Sequence, residues 1–222
     1  MRFLIPLCLI LGHATLAAQP AEITLRTLAM NATPLPEKLW TVDGSDAVSL
    51  GFSTVQPSET VNVRRLSPMP IYQGPLDEKG KPLDAAPTLV KLPANASAIL
   101  LLGWMNRDKP AFLPIPDPFA TAKRDDWMII NATPTEIALK IGADAKPFLI
   151  KGNSHQPIRV GVPADQGAAV TIATRKGEDW RTFYSTYWPI YQDKRCIILF
   201  TAGEERIQVK QIFEELQKPA AP

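Results

Sequence analysis

The chain has 222 residues, 24 Lys and Arg against 22 Asp and Glu, and 45% apolar residues. That apolar fraction is typical of a globular chain, and the nearly balanced charge provides no field that would attract nucleic acid. The 22 prolines are about twice the usual ~5%. Because proline interrupts helices and shortens strands, the composition predicts an all-β fold.

Residues 1–18 have the pattern of a secretory signal peptide. Arg2 supplies a positive start, residues 3–11 are apolar, and residues 14–18 offer small side chains for cleavage. The apolar run is roughly half of the ~20 residues that a membrane-spanning helix needs, which leaves an uncleaved anchor as the less favoured alternative. We therefore expect an exported protein, periplasmic or secreted, without stable membrane insertion after cleavage.

The first half of the remaining chain predicts a series of short strands. Alternating apolar and polar side chains predict strands over residues 22–30, 47–53 and 59–64. Residues 66–87 are crowded with proline and glycine and are predicted to form a loop or a loosely ordered hairpin. The apolar run at 99–102 is continuous, which predicts a strand covered on both faces.

A proline-rich linker is predicted over residues 109–126. Its four prolines favour an extended, semi-rigid course: Pro110, Pro114, Pro116 and Pro118. Strands are predicted again over 136–141, 168–174, 180–191 and 195–201. Residues 206–212 alternate as a strand, although a short helix over 207–216 is an alternative, and residues 218–222 are predicted to be a disordered tail.

One tetrapeptide occurs twice. Asn31-Ala-Thr-Pro recurs at Asn131-Ala-Thr-Pro, 131 − 31 = 100 residues further on, and each copy is preceded by an apolar strand-like run. An interval of about 100 residues is the length of one small β-sandwich domain. The repeat predicts two β-sandwich domains, over 19–108 and 127–217, with a single larger sandwich as the alternative architecture.

The second copy carries a resemblance. Asn131-Ala-Thr-Pro, followed by an alternating strand that ends at Gly142 and by short strands between small turns, resembles secreted bacterial immunoglobulin-like β-sandwich domains of unassigned function. The resemblance implies two tandem immunoglobulin-like domains in the cell envelope. It implies no catalytic residues.

An aromatic cluster is the candidate contact site. In a single strand, alternation would place Phe183, Tyr187 and Tyr191 on one face and Trp180, Tyr184 and Trp188 on the other. Because a two-layer sandwich buries one face of each strand, one aromatic set would face solvent and could stack on sugar rings or on an apolar protein surface. The alternative is that the aromatics are core or interface residues. The residues predicted to contact a ligand or partner are Trp180, Tyr184, Trp188, Tyr187 and Tyr191.

Signals for catalysis are weak. Cys196 lies in an apolar strand pattern typical of a buried thiol, Ser154 and His155 are adjacent in a predicted turn, and no metal, cofactor or nucleotide motif is present. The sequence therefore predicts a non-enzymatic binding module of the envelope that contacts glycan or protein, without a cofactor and without nucleic acid. An assembly subunit with its aromatics buried against a partner chain is the alternative, and a hydrolase with an unrecognised site is the least favoured.

Overall fold

The computed structural model describes residues 21–31, 33–83, 86–161, 167–203 and 206–216. The predicted signal peptide, 1–18, and the predicted tail, 218–222, lie outside these residues. Within them the chain forms strands and one 3-10 helix, Phe119–Thr121, and the predicted all-β fold is confirmed. None of the described residues forms a helix of the length and apolar character needed to span a membrane.

Eight strands form the first half of the fold. Seven are no longer than eight residues, as the density of prolines predicts. In chain order they are β1 (Glu22–Ala29), β2 (Leu39–Asp43), β3 (Asp46–Ser49), β4 (Val61–Arg64), β5 (Met69–Gln73), β6 (Thr88–Val90), β7 (Ala98–Asn106) and β8 (Lys109–Pro116).

Eight further strands form the second half. Their apolar residues alternate along the shorter strands, whereas the longest apolar run is continuous. In chain order they are β9 (Asp126–Asn131), β10 (Ile137–Ile141), β11 (Phe148–Ile150), β12 (Ser154–Arg159), β13 (Ala168–Lys176), β14 (Asp179–Trp188), β15 (Lys194–Ala202) and β16 (Ile207–Glu215).

The two halves have the same strand order. The first half forms the sheets β4-β1-β7-β8 and β3-β2-β5-β6, and the second forms β12-β9-β15-β16 and β11-β10-β13-β14. Adding eight to each strand number of the first pair of sheets gives the second pair. The pairing directions also correspond, since β1 is parallel to β7 and β9 is parallel to β15. No sheet combines strands from both halves, so the described chain forms two β-sandwich domains.

The predicted linker is wrong over Lys109–Pro116, because these residues are strand β8, paired with β7 along its whole length. Pro110, Pro114 and Pro116 occupy positions of the same parity on an edge strand. Proline is tolerated there because the N–H groups that it lacks would point away from the neighbouring strand. The connection between the domains is thus shorter than predicted and begins at Asp117.

Two further expectations are corrected. Residues 66–87 contain strand β5, which pairs with β2 and β6, so the continuous loop is wrong, whereas the antiparallel bridge between Leu76 and Pro82 agrees with the alternative of a loosely ordered hairpin. Residues 207–215 form strand β16, paired with β15, and the alternative of a short helix is wrong. In both places, pairing with an apolar neighbouring strand decides the conformation, which local composition leaves open.

Four sheets stack through three apolar layers. The inner faces of each domain enclose their own core, and a third cluster joins sheet β4-β1-β7-β8 to sheet β12-β9-β15-β16. Ile99 and Leu101 face the first core while Leu100 and Leu102 face this middle layer, so the prediction of a strand buried on both faces is confirmed. The middle layer contains Leu28, Leu100, Leu102, Ile115, Met128, Ile130, Ile197, Leu199 and Ile212.

The two copies of the tetrapeptide play different structural roles. Asn131 is the last residue of β9 and is fully buried, and its side-chain amide donates to the carbonyl oxygens of Thr135, Ile150 and Lys151 at 2.8, 3.2 and 3.1 Å. Asn31 lies two residues beyond the end of β1 and is exposed. Only the second copy therefore holds a turn against the strands of its domain.

Candidate functional site

Strand β14, on the free edge of the outer sheet of the second domain, carries five of the six residues of the predicted aromatic cluster and ends at Trp188, before Tyr191. Its register with β13 slips at one point: Ile172 lies opposite Tyr184, whereas Ala173 lies opposite Thr182. Phe183 is the extra residue of a β-bulge. A bulge reverses the alternation of side chains on either side of it, so the faces predicted from period two do not hold along the whole strand.

The bulge directs two of the predicted contact residues inward. Trp188 is 1% exposed, its ring centroid lies 6.0 Å from that of Trp127, and its Nε1–H donates to the Tyr184 hydroxyl at 3.3 Å. Tyr184 is half-buried against the same core. The prediction that Trp188 contacts a ligand is wrong, because its side chain fills the domain core.

The other face of β14 presents two exposed rings. Tyr187 is 64% exposed and Trp180 is 39% exposed. The ring of Tyr187 lies over Gly167, where any side chain would overlap it, so the glycine permits this close approach. Tyr187 lies opposite Ala169 and Trp180 opposite Arg175 on β13. Six residue steps separate these rows, or about 20 Å along the sheet at ~3.3 Å per residue.

Small side chains occupy the face between the two rings. The register of β10, β11, β13 and β14 turns toward solvent the methyl groups of alanines, the hydroxyls of threonines and a serine, and three longer side chains, Lys140, Leu149 and Arg175. We call this surface, with Tyr187 and Trp180 at its ends, the outer face of the second domain. Its remaining members are Ala138, Lys140, Leu149, Ala169, Thr171, Ala173, Arg175, Thr182 and Ser185.

Tyr191 lies away from this face, beyond the end of β14. Its ring meets that of Phe213 edge-on with centroids 5.0 Å apart, and the ammonium of Lys194 lies 5.6 Å from its centroid. It is 42% exposed. The structure therefore brings Trp180 and Tyr187 to one surface and separates Tyr184, Trp188 and Tyr191 from them.

Two arrangements considered for nucleophilic catalysis do not form. Ser154 and His155 are adjacent in strand β12, so their side chains point to opposite faces, and the Ser154 hydroxyl donates to the carbonyl of Lys151 at 2.6 Å. His155 pairs with Ile130, which faces the middle layer, whereas Cys196 faces the second core. The thiol and the imidazole therefore lie on opposite faces of their sheet. A Ser/His/Asp site would also need an acid such as Asp144 or Asp165, and Asp165 lies outside the described residues.

A buried set of four charges between the domains is absent from the sequence predictions. Arg26 of β1 donates to Asp117 at 2.5 Å and to Glu214 at 2.6 Å, and Arg195 of β15 pairs with the same two carboxylates at 2.7 Å each. All four side chains are buried. We call these residues the charge ring. Its sequence signal is a charged residue inside an apolar strand run, since such a residue needs a buried partner.

Opposite charges favour the ionised forms of Asp117 and Arg195, as the directions of their pKa shifts indicate. Burial by itself would raise the pKa of Asp117, but hydrogen bonding and charge from Arg195, together with the charge of Arg26, hold that pKa below its ordinary value. For Arg195, burial opposes the charge, while pairing with Asp117 and Glu214 raises the pKa. The ring therefore contains two cations and two anions that neutralise one another, and it offers no free charge to a ligand.

A cleft lies beside the charge ring, between the domains. It has a volume of about 850 Å³ and is lined by residues 51–53, 56–60 and parts of β1, β15 and β16. Lys210 of β16 donates to the carbonyl of Thr54 in the same region. The buried charged residues that line the cleft, Arg26 and Glu214, are already paired within the charge ring. These two buried charges are therefore not free to bind a small molecule in the cleft.

No family model matches the sequence, and no curated protein is significantly similar to it. Among the described residues, no group of three or more His, Cys, Asp or Glu side chains is placed to hold a metal ion. The outer face of the second domain is thus the candidate site that the geometry supports best.

Proposed function

We propose that this protein is an exported, non-enzymatic binding module of the cell envelope, and that the outer face of its second domain binds an extended polysaccharide. The observation that carries the proposal is the pair of exposed rings, Tyr187 and Trp180, at the two ends of a face that presents hydroxyl side chains between them. Aromatic rings offer an apolar surface for the CH groups of sugars, and hydroxyl side chains can exchange hydrogen bonds with sugar hydroxyls.

The spacing of the rings favours a polysaccharide over a protein partner. A protein interface has a contiguous apolar centre with clustered aromatic anchors. Here the two rings are about 20 Å apart, with Thr171, Thr182 and Ser185 between them. An extended hydroxylated chain can contact both rings at once and exchange hydrogen bonds with the hydroxyls between them. Export of the protein rests on the signal peptide predicted over residues 1–18.

A binding measurement on purified polysaccharides tests the proposal. Fluorescently labelled protein is titrated onto peptidoglycan, chitin, cellulose, xylan and mannan, together with Trp180→Ala and Tyr187→Ala. We expect one of these polymers to bind and each variant to weaken that binding by about tenfold, the loss of one stacked ring. Trp180→Phe and Tyr187→Phe keep a ring and should retain most of the affinity. Tyr191→Ala, away from the face, is the negative control.

Two different results would contradict the proposal. If neither alanine variant weakens the binding of polysaccharide, the outer face is not the binding site. If no polymer binds and one envelope protein is retained instead, the protein is an assembly subunit, the alternative function.

A further inference from the structure

Strand β14 differs from the other edge strands of the described chain. It is 10 residues long and contains no proline. The edges β3, β4, β6 and β11 have only three or four residues, and β8 and β12 contain proline, which cannot donate to a neighbouring strand. The edge β16 faces residues 51–53 and 56–60 across the cleft between the domains. Short edges and prolines prevent sheets from pairing with one another, and β14 has neither protection.

The backbone of β14 directs unpaired groups along this edge. The carbonyl of Ala169 on β13 accepts a hydrogen bond from the N–H of Gly142, on the β10 side of the sheet. Because a strand residue directs its N–H and C=O to one side, Ala169 does not bond to Tyr187, which lies opposite it. Tyr187 therefore directs its own N–H and C=O away from β13. In a strand of L-residues the face of the side chain fixes this side, so the same holds for the other outer-face residues of β14: Trp180, Thr182 and Ser185.

The β-bulge makes the pattern of faces along β14 symmetric about the middle of the strand. Phe183 and Tyr184, at the centre, are both half-buried against the second core. The outer-face residues lie one and three positions away from this pair on either side: Thr182 and Trp180 before it, Ser185 and Tyr187 after it. A twofold axis through the bulge, perpendicular to the sheet, therefore brings the outer-face positions of one strand opposite the outer-face positions of a copy.

We propose that β14 pairs about this axis with β14 of a second copy of the chain, antiparallel, so that two molecules form a dimer through one continuous sheet. In this register Trp180 lies opposite Tyr187 of the second copy, and Thr182 lies opposite Ser185 of the second copy. Aromatic pairs and Thr–Ser pairs are among the cross-strand neighbours that stabilise sheets. The same four residues direct their N–H and C=O groups to this edge, so each pair exchanges two backbone hydrogen bonds.

Two observations favour a second copy over another ligand. A row of backbone N–H and C=O groups, repeated every second residue, matches an extended polypeptide, whereas a sugar chain has no such ladder. In addition, β13 pairs with β14 only by leaving Phe183 without an opposite residue, and a regular strand on the other edge would have to do the same. A second β14 has its extra residue at the same place. Phe183 then lies opposite Tyr184 of the copy, the register continues without a break, and the half-buried central rings cover one another.

Sedimentation equilibrium of the full protein tests the dimer. We expect wild type to show a reversible monomer–dimer equilibrium at concentrations up to about 100 μM, where even a weak dimer is populated. Ser185→Pro removes an N–H that points to the free edge, a position where proline is tolerated, and should raise the dissociation constant of the dimer at least about tenfold. Ser185→Ala keeps the backbone donor and should dimerise as wild type does.

Charges placed at two opposite positions test the register. Thr182→Glu with Ser185→Glu sets like charges opposite each other across the axis and should abolish the dimer. Thr182→Lys with Ser185→Glu sets opposite charges there and should dimerise. Both positions are exposed, so these variants should fold, and thermal unfolding checks that a lost dimer does not reflect a lost fold.

Two results would overturn the dimer. One is a wild-type protein that remains monomeric throughout this range of concentrations. The other is a dimer that persists both in Ser185→Pro and in the double glutamate variant, because it then forms through another surface. The dimer goes beyond the proposed function and does not depend on it, since a single molecule presents the whole outer face of its second domain. A monomeric protein that binds polysaccharide would therefore overturn the dimer alone.

Discussion

Arg26 and Arg195, from different domains, lie against the same aromatic ring. Their guanidinium carbons are 3.9 and 4.8 Å from the centroid of Phe119, which lies in the short connection between the domains. Two like charges approach a single ring because Asp117 and Glu214 each pair with both arginines. The connection and the two domains thus meet in one neutral cluster. This cluster holds the two sandwiches in their observed arrangement.

Breaking the charge ring should destabilise the whole protein. Asp117→Asn leaves two buried arginines to share one carboxylate, and we expect a loss of about 3–5 kcal/mol in the free energy of unfolding, measured by urea denaturation. The matched control is Asp126→Asn, which removes one of the two carboxylates paired with the exposed Arg159. Exposed ion pairs contribute ~0–1 kcal/mol, so the control should unfold nearly as wild type. Equal losses in the two variants would contradict a structural role for the ring.

Stability should also depend on acid through Asp117. Because pairing holds its pKa below the ordinary value, the folded state binds this proton less readily than the unfolded state does. The resulting stabilisation is present in full above the unfolded pKa of about 3.9 and is lost as pH falls through the folded pKa. We expect the urea concentration at the midpoint of unfolding to decrease as the pH is lowered below about 4. The decrease should be smaller in Asp117→Asn. A variant with the wild-type pH profile would exclude Asp117 as the source.

Two tryptophans of β14 should differ sharply in their effect on stability. Trp188→Ala removes a buried side chain that contacts Trp127 and should cost about 3–5 kcal/mol. Trp180→Ala removes a partly exposed side chain and should stay within about 1 kcal/mol of wild type. Thermal and urea unfolding of the two variants give the comparison. A small effect of Trp188→Ala would contradict the phase reversal at Phe183.

The repeated asparagines provide a matched pair. Asn131→Ala removes a buried amide that donates to three carbonyl oxygens, and we expect a loss of about 2–4 kcal/mol because those acceptors lose a buried donor. Asn31→Ala changes an exposed residue and should alter stability by less than about 0.5 kcal/mol. Urea denaturation distinguishes them. Similar costs at both positions would mean that the two copies keep the same role.

Cys196 should be unreactive in the folded protein. Its side chain is buried in the second core, and burial raises the pKa of the thiol far above its ordinary value. The thiolate is the nucleophile, so at pH 8 alkylation by iodoacetamide should be at least a hundredfold slower than in 6 M guanidinium chloride, about the suppression expected of a neutral, inaccessible thiol. Mass spectrometry follows the modified fraction. Rapid alkylation without denaturant would contradict this burial.

The all-β fold and many of its strands could be predicted from the sequence. Proline density excluded long helices, alternation marked strands such as β10, and the continuous apolar run at 99–102 marked a strand buried on both faces. These features depend on the conformational preferences of each residue and on which side chains avoid water, and both are written locally along the chain.

Only the tertiary structure decided which side chains form the sites. The prolines of β8 predicted a linker, whereas the pairing with β7 shows that they lie in an edge strand. The bulge at Phe183, which turned Trp188 inward and left Trp180 outward, became visible only in the register with β13. Arg26, Asp117, Arg195 and Glu214 are spread over 188 residues, so no local pattern joins them. Their contacts follow from strand pairing and sheet stacking between distant segments, where the free energy of a position depends on its neighbours in space.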